Sequence, residues 1–516
     1  MKRFIQRFSD KIIGILSGFD RLVFRGSLRR VAFPEGMMSL LWHKRVLLKE
    51  FEAYVTGVTE QLKEASFEAA HKQNRPIHYL ESSKTDKEAL ARKIAKEDHI
   101  TEGLITIITC VEPCQTFHLH RNRATKKLEI VVKWGKCLQL YHYLIHPQFG
   151  FMNARIQSWF PFYVQLCLNG REWLARQMDR AHLRYARLDN CFAWIEDFDK
   201  AQKLMDRQLK THWPKVLDGI SRMLNPAHGK IFDGFSTRYY WSAYQSEWAT
   251  DIAFQSTADL AAIYPALVLH AMTTYSSRDV MRFLGRKLDA RFQGEVVSDF
   301  KIRSEGVRVK HSVDGNSVKM YDKFGKILRV ETTIQDPYGF KVFRPKEGDL
   351  GGACKWRPLR RGIADLRRRA QVCQSANERY LDAQAAADTS VPLGDLVSCI
   401  CKPTTWNGHR VRALRPWEQN DLDLFRAVTR GEFSINGFRN RDLQALLFQG
   451  LPNSPQERRR RSGHISRLLR ILRAHHLIRK VSKSYRYVLT PKGRDILSAT
   501  LTIRRLTIEQ LNKAAA

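Results

Sequence analysis

The sequence predicts an α+β protein. A mixed α/β N-terminal and central region carries an antiparallel β-meander, and a C-terminal module of helices and a short hairpin follows. Three observations predict this. Residues 103–110 form an unbroken β-branched run between a glycine and a proline, which suits a buried strand, with 127–134 as its hairpin partner. Residues 307–334 alternate apolar and polar positions around Asp314-Gly315, a strong two-residue turn signal. Beyond Trp417, three helical periodicities precede two short strands and a last helix.

In chain order, 21–25 read as a strand, 37–70 as one long helix, and 84–95 as a charged, alanine-rich helix. Residues 151–213 are aromatic and read as helical, with Asn169-Gly170 marking a turn. Residues 250–293 again read as helices, 300–345 as strands and 362–387 as a basic helix. The stretch 389–416 is loose in composition and reads as a linker. The expected domains are therefore 1–150, 151–388 and 417–516.

A chain of 516 residues exceeds what one core holds, and 43% hydrophobic with 10% aromatic content argues against general disorder. The formal net charge of +35 selects for anionic partners, so DNA is expected first, with RNA left open. No run approaches the roughly 18 apolar residues of a membrane span, so no membrane is expected. Residues 1–10 are basic and amphipathic but lack the apolar core and cleavage site of a secretory signal. Nine scattered cysteines suit reduced thiols, which places the expected protein in the cytoplasm, on the nucleoid. The sequence has no P-loop, dinucleotide-binding glycine fingerprint, GxSxG or kinase signature, so no nucleotide cofactor is expected. Oligomeric state is left open.

The C-terminal segment 430–516 carries 19 Lys and Arg against 5 Asp and Glu. Helices are expected at 418–429 and 439–447, and a third starts after Ser454-Pro455, a cap followed by a residue suited to the first turn. Ile465, Leu468, Leu469 and Leu472 form its buried stripe. Strands at 477–481 and 485–489 flank Ser482-Lys483-Ser484, and Thr490-Pro491 opens a last helix. This order resembles the winged-helix domains of MarR-type bacterial regulators. The resemblance implies that the third helix enters a major groove and the hairpin touches the backbone or minor groove. It assigns DNA contacts to Arg458, Arg459, Arg460, Arg461, His464, Arg467, Arg470 and Arg473 on the helix, and to Lys483 and Arg486 on the wing.

The meander folds on paper with Ser312 opposite Ser317, Lys310 opposite Lys319 and Arg308 opposite Tyr321. A three-residue turn at 323–325 then sets Lys319 opposite Arg329 and Ser317 opposite Glu331. One face collects valines, Met320 and Leu328, and the other Arg308, Lys310, Lys319, Tyr321, Arg329, Glu331 and Thr333. As a plain sheet surface this is a set of cross-strand charge pairs. As a site, its cations bind a phosphodiester and favour the Tyr321 phenolate as nucleophile, with Lys319, Arg329 and Glu331 around it. Asp322 and Glu331 then hold Mg²⁺ or Mn²⁺. Arg308 and Lys310 add nucleic-acid contacts.

The segments Tyr321-Asp322-Lys323 and Leu328-Arg329-Val330-Glu331 resemble the strand pair of rolling-circle replication initiators, in which a tyrosine nicks one DNA strand with metal help. The whole chain resembles a family of bacterial mobile-element, transposase-like proteins. Together these resemblances imply replication or transposition of a mobile element. The runner-up readings are a non-enzymatic DNA-binding regulator or partition protein, and an RNA-binding protein.

Other candidates compete. His118 and His120 sit on one side of a strand in the pattern of the metal-binding histidine pair of HUH nickases, though the helical YxxxK partner motif is not evident. His142 and His146 at i, i+4 suit one helix face. In the aromatic stretch 238–251, read as a helix, Tyr240, Tyr244, Glu247 and Asp251 share a face as an alternative tyrosine-and-acid site, or as base-stacking aromatics beside a phosphate-binding Arg238, beside the reading of a packed aromatic core. Cys110/Cys114 and Cys399/Cys401 are close pairs without zinc-site spacing.

Overall fold

The computed structural model describes residues 1–225, 227–286, 292, 294–303, 306–346, 348–349, 351–385, 397–430, 432–433, 437–448, 450, 452–482 and 484–503. Helices and strands are both abundant, as an α+β class requires. The chain forms two compact units, each built from separated stretches. One comprises Ile15–Asp251 and Glu331–Gln374, and the other Met1–Gly14, Ile252–Val330 and Ser375–Ala516. Compactness thus regroups the contiguous segments expected from the sequence, because strands far apart in the chain pair side by side.

The strands are β1 Ile12–Leu28, β2 Ile77–Leu80, β3 Gly103–Arg121, β4 Leu128–His146, β5 Gly150–Gln157, β6 Val164–Asn169, β7 Tyr185–Leu188, β8 Cys191–Ile195 and β9 Tyr239–Phe254. They continue with β10 Val296–Arg303, β11 Gly306–Val313, β12 Asn316–Lys323 and β13 Ile327–Ile334.

In the first unit the neighbour order is β13, β9, β1, β6, β5, β4, β3, β2. Pairing is antiparallel from β1 to β3, with Arg21 opposite Asn169, while β2 joins β3 in parallel. The hairpin expected from 103–110 and 127–134 is present but far longer, at 19 residues a strand. The single helix expected over 37–70 is two, Pro34–His43 and Phe51–Lys72. The break comes at Arg45, whose φ of 55° leaves the helical region, and Glu50 accepts from the Leu47 N–H before the chain turns again. Both helices bury leucines and valines against Phe117 and Ile130 of the long hairpin.

Residues 151–213, expected to be helical, open with β5 and β6. Met152, Ala154, Ile156, Val164, Leu166 and Leu168 are buried at strand spacing, and aromatic density masked that period of two. Asn169 does not make a turn. Its Oδ1 accepts from the N–H groups of Arg171 (2.8 Å) and Glu172 (3.0 Å) and starts the helix Gly170–Arg180. Residues 239–254 are likewise strand β9 rather than helix. His142 and His146 lie on β4, not on a helix, and His142 is fully buried.

In the second unit, β10, β11 and β12 pair antiparallel as expected, with Ser312–Ser317, Lys310–Lys319 and Arg308–Tyr321 as partners, and β13 follows β12 in the sheet order. The turn after β12 differs in detail. Phe324 and Gly325 both have positive φ, and the Lys326 N–H reaches the Lys323 carbonyl at 3.3 Å. Strand β12 ends at Lys323 and β13 begins at Ile327, so three residues, 324–326, join them, one position on from the expected 323–325. The basic helix expected at 362–387 is Leu366–Gln384.

The C-terminal elements follow the expected order: Gln419–Val428, Asn440–Leu447, Pro455–Ala474, strands Ile478–Lys480 and Arg486–Leu489, then Pro491–Ile503. Ser454 caps the third helix through the Glu457 N–H at 3.1 Å. Ile465, Leu469 and Leu472 are buried together with Leu424, Phe425 and Ile496. Part of the expected linker 389–416 belongs to this module, since Ile400 and Leu414 are buried in the same core. Burial alone would raise the Asp421 carboxyl, but hydrogen bonds from Arg412 and from the Arg415 N–H hold it below its ordinary value and pin the linker to the first helix.

Burial also lowers the His142 imidazole to about 4, so the folded state holds it neutral. Its contribution to stability is complete above the ordinary histidine value of about 6.5 and is lost as pH falls toward 4. Chemical denaturation between pH 6.5 and 4 is expected to show a fall in stability that is shallower in His142→Leu. The difference in slope should be about 1.4 kcal/mol per pH unit.

Candidate functional site

Three neighbouring strands of the first unit each contribute one carboxylate to a common point: Asp20 from β1, Glu247 from β9 and Glu331 from β13. One oxygen of each lies within 4.8 Å of the others. Asp20 and Glu331 are buried and Glu247 is half-buried.

Local chemistry holds the group in place. Asn190, in the turn between β7 and β8, donates to both Asp20 oxygens at 3.3 and 3.2 Å. Gln245 Nε2 donates to Glu247 Oε1 at 2.8 Å. Arg171, wholly buried, places Nη2 at 3.0 Å from Asp251 and donates to the Ala249 carbonyl at 3.3 Å, with Nε 4.0 Å from Asp20. The guanidinium can reach both strands because its helix begins against β1. A Cβ at Gly170 would lie 1.8 Å from the Phe19 carbonyl oxygen, so only glycine permits that approach.

Two unit charges at this spacing repel by about 3 kcal/mol at an effective dielectric near 20. A cation held among the three would offset that repulsion. Oxygen-only donors, without histidine or thiolate, suit a hard divalent ion such as Mg²⁺ or Mn²⁺. Around one octahedral Mg²⁺ at most one pair of the three oxygens can stand trans at about 4.2 Å and the other pairs at about 3 Å, so the carboxylates would have to draw inward to share one ion. Such an ion polarises a phosphoryl oxygen and lowers the pKa of bound water.

The structure redistributes the residues singled out by sequence. Glu331 belongs to the carboxylate group. Asp322 does not: its Oδ1 accepts from the Gly325 N–H at 2.8 Å and closes the turn, and burial raises its carboxyl to about 6. Tyr321, Lys319, Arg329, Arg308 and Lys310 lie in the second unit. There the Lys319 ammonium sits 5.7 Å from the Tyr321 ring centre, and Arg308 approaches Asp299 at 3.6 Å. Desolvation is the main cause that lowers Lys310.

The alternative group splits by strand parity. Glu247 and Asp251 share one face of β9, whereas Tyr240 and Tyr244 lie on the other. His118 lies 2.7 Å from Thr116 Oγ1, and His120 is exposed on the long hairpin. Among the described residues, neither histidine joins a group of three or more acids, histidines or cysteines suited to a metal. Cys114 is paired with Cys137 rather than Cys110, their sulfurs 3.1 Å apart, and Cys399 and Cys401 are exposed.

On the helix Pro455–Ala474, Arg458, Arg459, Arg460, His464, Arg467 and Arg470 are exposed. Arg461 instead folds back on Glu457 at 2.6 Å and onto the Gly450 carbonyl, and Arg473 stacks on Trp406 at 5.1 Å. Arg486 is half-buried opposite Arg439, and Lys483 lies outside the described residues.

Sequence reasoning missed Asp20, Arg171 and Asn190. The signal for Asp20 was a lone carboxylate at a buried parity of an otherwise apolar strand, in Phe19-Asp20-Arg21-Leu22. No family model, curated protein or solved structure matches the chain.

Arg171→Met is expected to destabilise the first unit by about 3–5 kcal/mol, because the buried ion pair with Asp251 is broken from one side. Urea unfolding measures this, and Asp251→Asn in the same background should recover part of the loss.

Proposed function

We propose that the protein is a metal-dependent enzyme acting on the phosphodiester backbone of DNA, with Asp20, Glu247 and Glu331 holding Mg²⁺ or Mn²⁺. The observation that carries this reading is the meeting of three carboxylate oxygens within 4.8 Å on three neighbouring strands of a chain whose net charge is +35. An overall cationic surface draws in a polyanion, and a local anionic group within it serves a cation that the polyanion's phosphate can share. The C-terminal module is read as a winged helix that positions the enzyme on duplex DNA, supported by its element order and by the six exposed cationic or histidine side chains of its third helix. Replication or transposition of a mobile element is the setting this chemistry fits.

Strand cleavage of labelled DNA in Mg²⁺ or Mn²⁺ tests the centre. Glu247→Gln and Asp20→Asn should each lower cleavage by at least about a hundredfold while leaving DNA affinity near that of the parent. Undiminished cleavage in both variants overturns the assignment. A separate reading, independent of the three carboxylates, makes Tyr321 of the second unit the nucleophile, and a covalent protein–DNA adduct that disappears in Tyr321→Phe would support it. Cleavage without an adduct points to water as nucleophile. Binding without cleavage under any metal favours the non-enzymatic regulator.

The winged-helix reading has its own measurement. Arg467→Ala with Arg470→Ala should weaken duplex binding and reduce the slope of log affinity against log salt by about 1 for each phosphate that is no longer neutralised. An unchanged slope removes the module from the DNA interface.

A further inference from the structure

We infer that the first unit carries a track for single-stranded DNA on the face of β1 and β9 turned away from the carboxylates, which rests on the DNA reading above and adds strandedness to it. Strand parity defines the face. Arg25 on β1 and Tyr240 and Tyr244 on β9 project opposite to Asp20 and Glu247.

Arginines and tyrosines alternate along this face. The Arg25 guanidinium lies 3.7 Å from the Tyr163 ring centre and 6.0 Å from that of Tyr244. Arg361 continues the series, 5.8 Å from Tyr244 and 5.9 Å from Tyr338, and Arg29 stacks on Tyr240 at 5.3 Å. The backbone fixes the spacing. The Ala243 N–H donates to the Arg361 carbonyl at 2.7 Å, and Ser242 bridges Gly362, so the Arg361 segment is tied to β9. A Cβ at Gly362 would lie 2.7 Å from the Tyr240 hydroxyl, which ties that ring to the same segment.

Just beyond Tyr338, the short ribbon of Lys341–Arg344 and Lys355–Pro358 presents Phe343 opposite Trp356, their rings 5.8 Å apart. These rings are not filling a core. Tyr338 is 65% exposed, Trp356 70%, Phe343 57% and Tyr240 41%.

This pattern fits one class of ligand. An arginine stacked on a ring keeps its in-plane N–H groups free to meet phosphate oxygens, while open ring faces take unpaired bases. A duplex hides its base faces within the stack and offers nothing to Tyr338 or Trp356. A protein partner of acidic character would use the arginines but leave the ring faces without a matching planar surface.

Fluorescence anisotropy with a labelled oligothymidylate and with a labelled duplex of mixed sequence tests the track on the full chain. Tyr338→Ala with Trp356→Ala, both at exposed positions, should weaken oligothymidylate binding by about tenfold or more and leave duplex binding unchanged. Tyr338→Phe should keep the parent affinity, because the ring face and not the hydroxyl meets the base. Arg25→Lys keeps the charge but loses the planar stack and should show an intermediate loss. Equal loss on both probes, or no loss on oligothymidylate, overturns the track. If the parent chain binds duplex but not oligothymidylate, the track is wrong and the DNA reading stands. If it binds neither, the DNA reading falls as well.

Discussion

A single buried guanidinium organises the first unit. Arg171 is removed from water entirely, which is costly unless its charge is met, and Asp251, the Ala249 carbonyl and the nearby Asp20 meet that charge through Nη2 and at 4.0 Å from Nε. Those partners sit on β9 and β1, so one side chain at a helix start sets the relation of two central strands. The carboxylate group inherits its geometry from that relation, because Asp20 and Glu247 are on the same two strands. Gly170 and the Asn169 cap are the conditions that let the helix begin where the guanidinium can do this.

The same strands separate two kinds of electrostatics. Residues of one parity gather acids in a confined space, whereas residues of the other parity display arginines against tyrosine rings. A strand offers this readily, since a step of one residue reverses the face. Sequence windows that sum charge average the two faces to nothing. The net charge of +35 therefore pointed to a polyanionic partner without marking where a cation would be held.

Legibility in the sequence followed the range of the interactions. The C-terminal helices were readable because their signals are local: Ser454-Pro455 at a start, the stripe Ile465, Leu469, Leu472, and Thr490 before the last helix. The first hairpin of the meander was readable because Asp314-Gly315 fixes a register over a few residues. Strand β9 was read as a helix because aromatic residues at i and i+4 satisfy both periods, and only neighbours from β1 and β13 decide between them. The carboxylate group could not be read at all as a set. Glu331 and Glu247 were each noticed, but with other partners, and Asp20 joins them only when β1 is placed beside β9. Asp322 looked like a ligand next to Glu331, whereas its local duty to the Gly325 N–H claims it.

The interleaving of the two units bears on how the chain matures during synthesis. Asp20 leaves the ribosome early and Glu247 much later, but the third carboxylate arrives only after β10, β11 and β12 have been made. A nascent chain therefore holds the acidic group incomplete until residue 331 has been made. Closure of so many long-range strand pairings makes slow folding the expected regime, and the carboxylate group is assembled late within it.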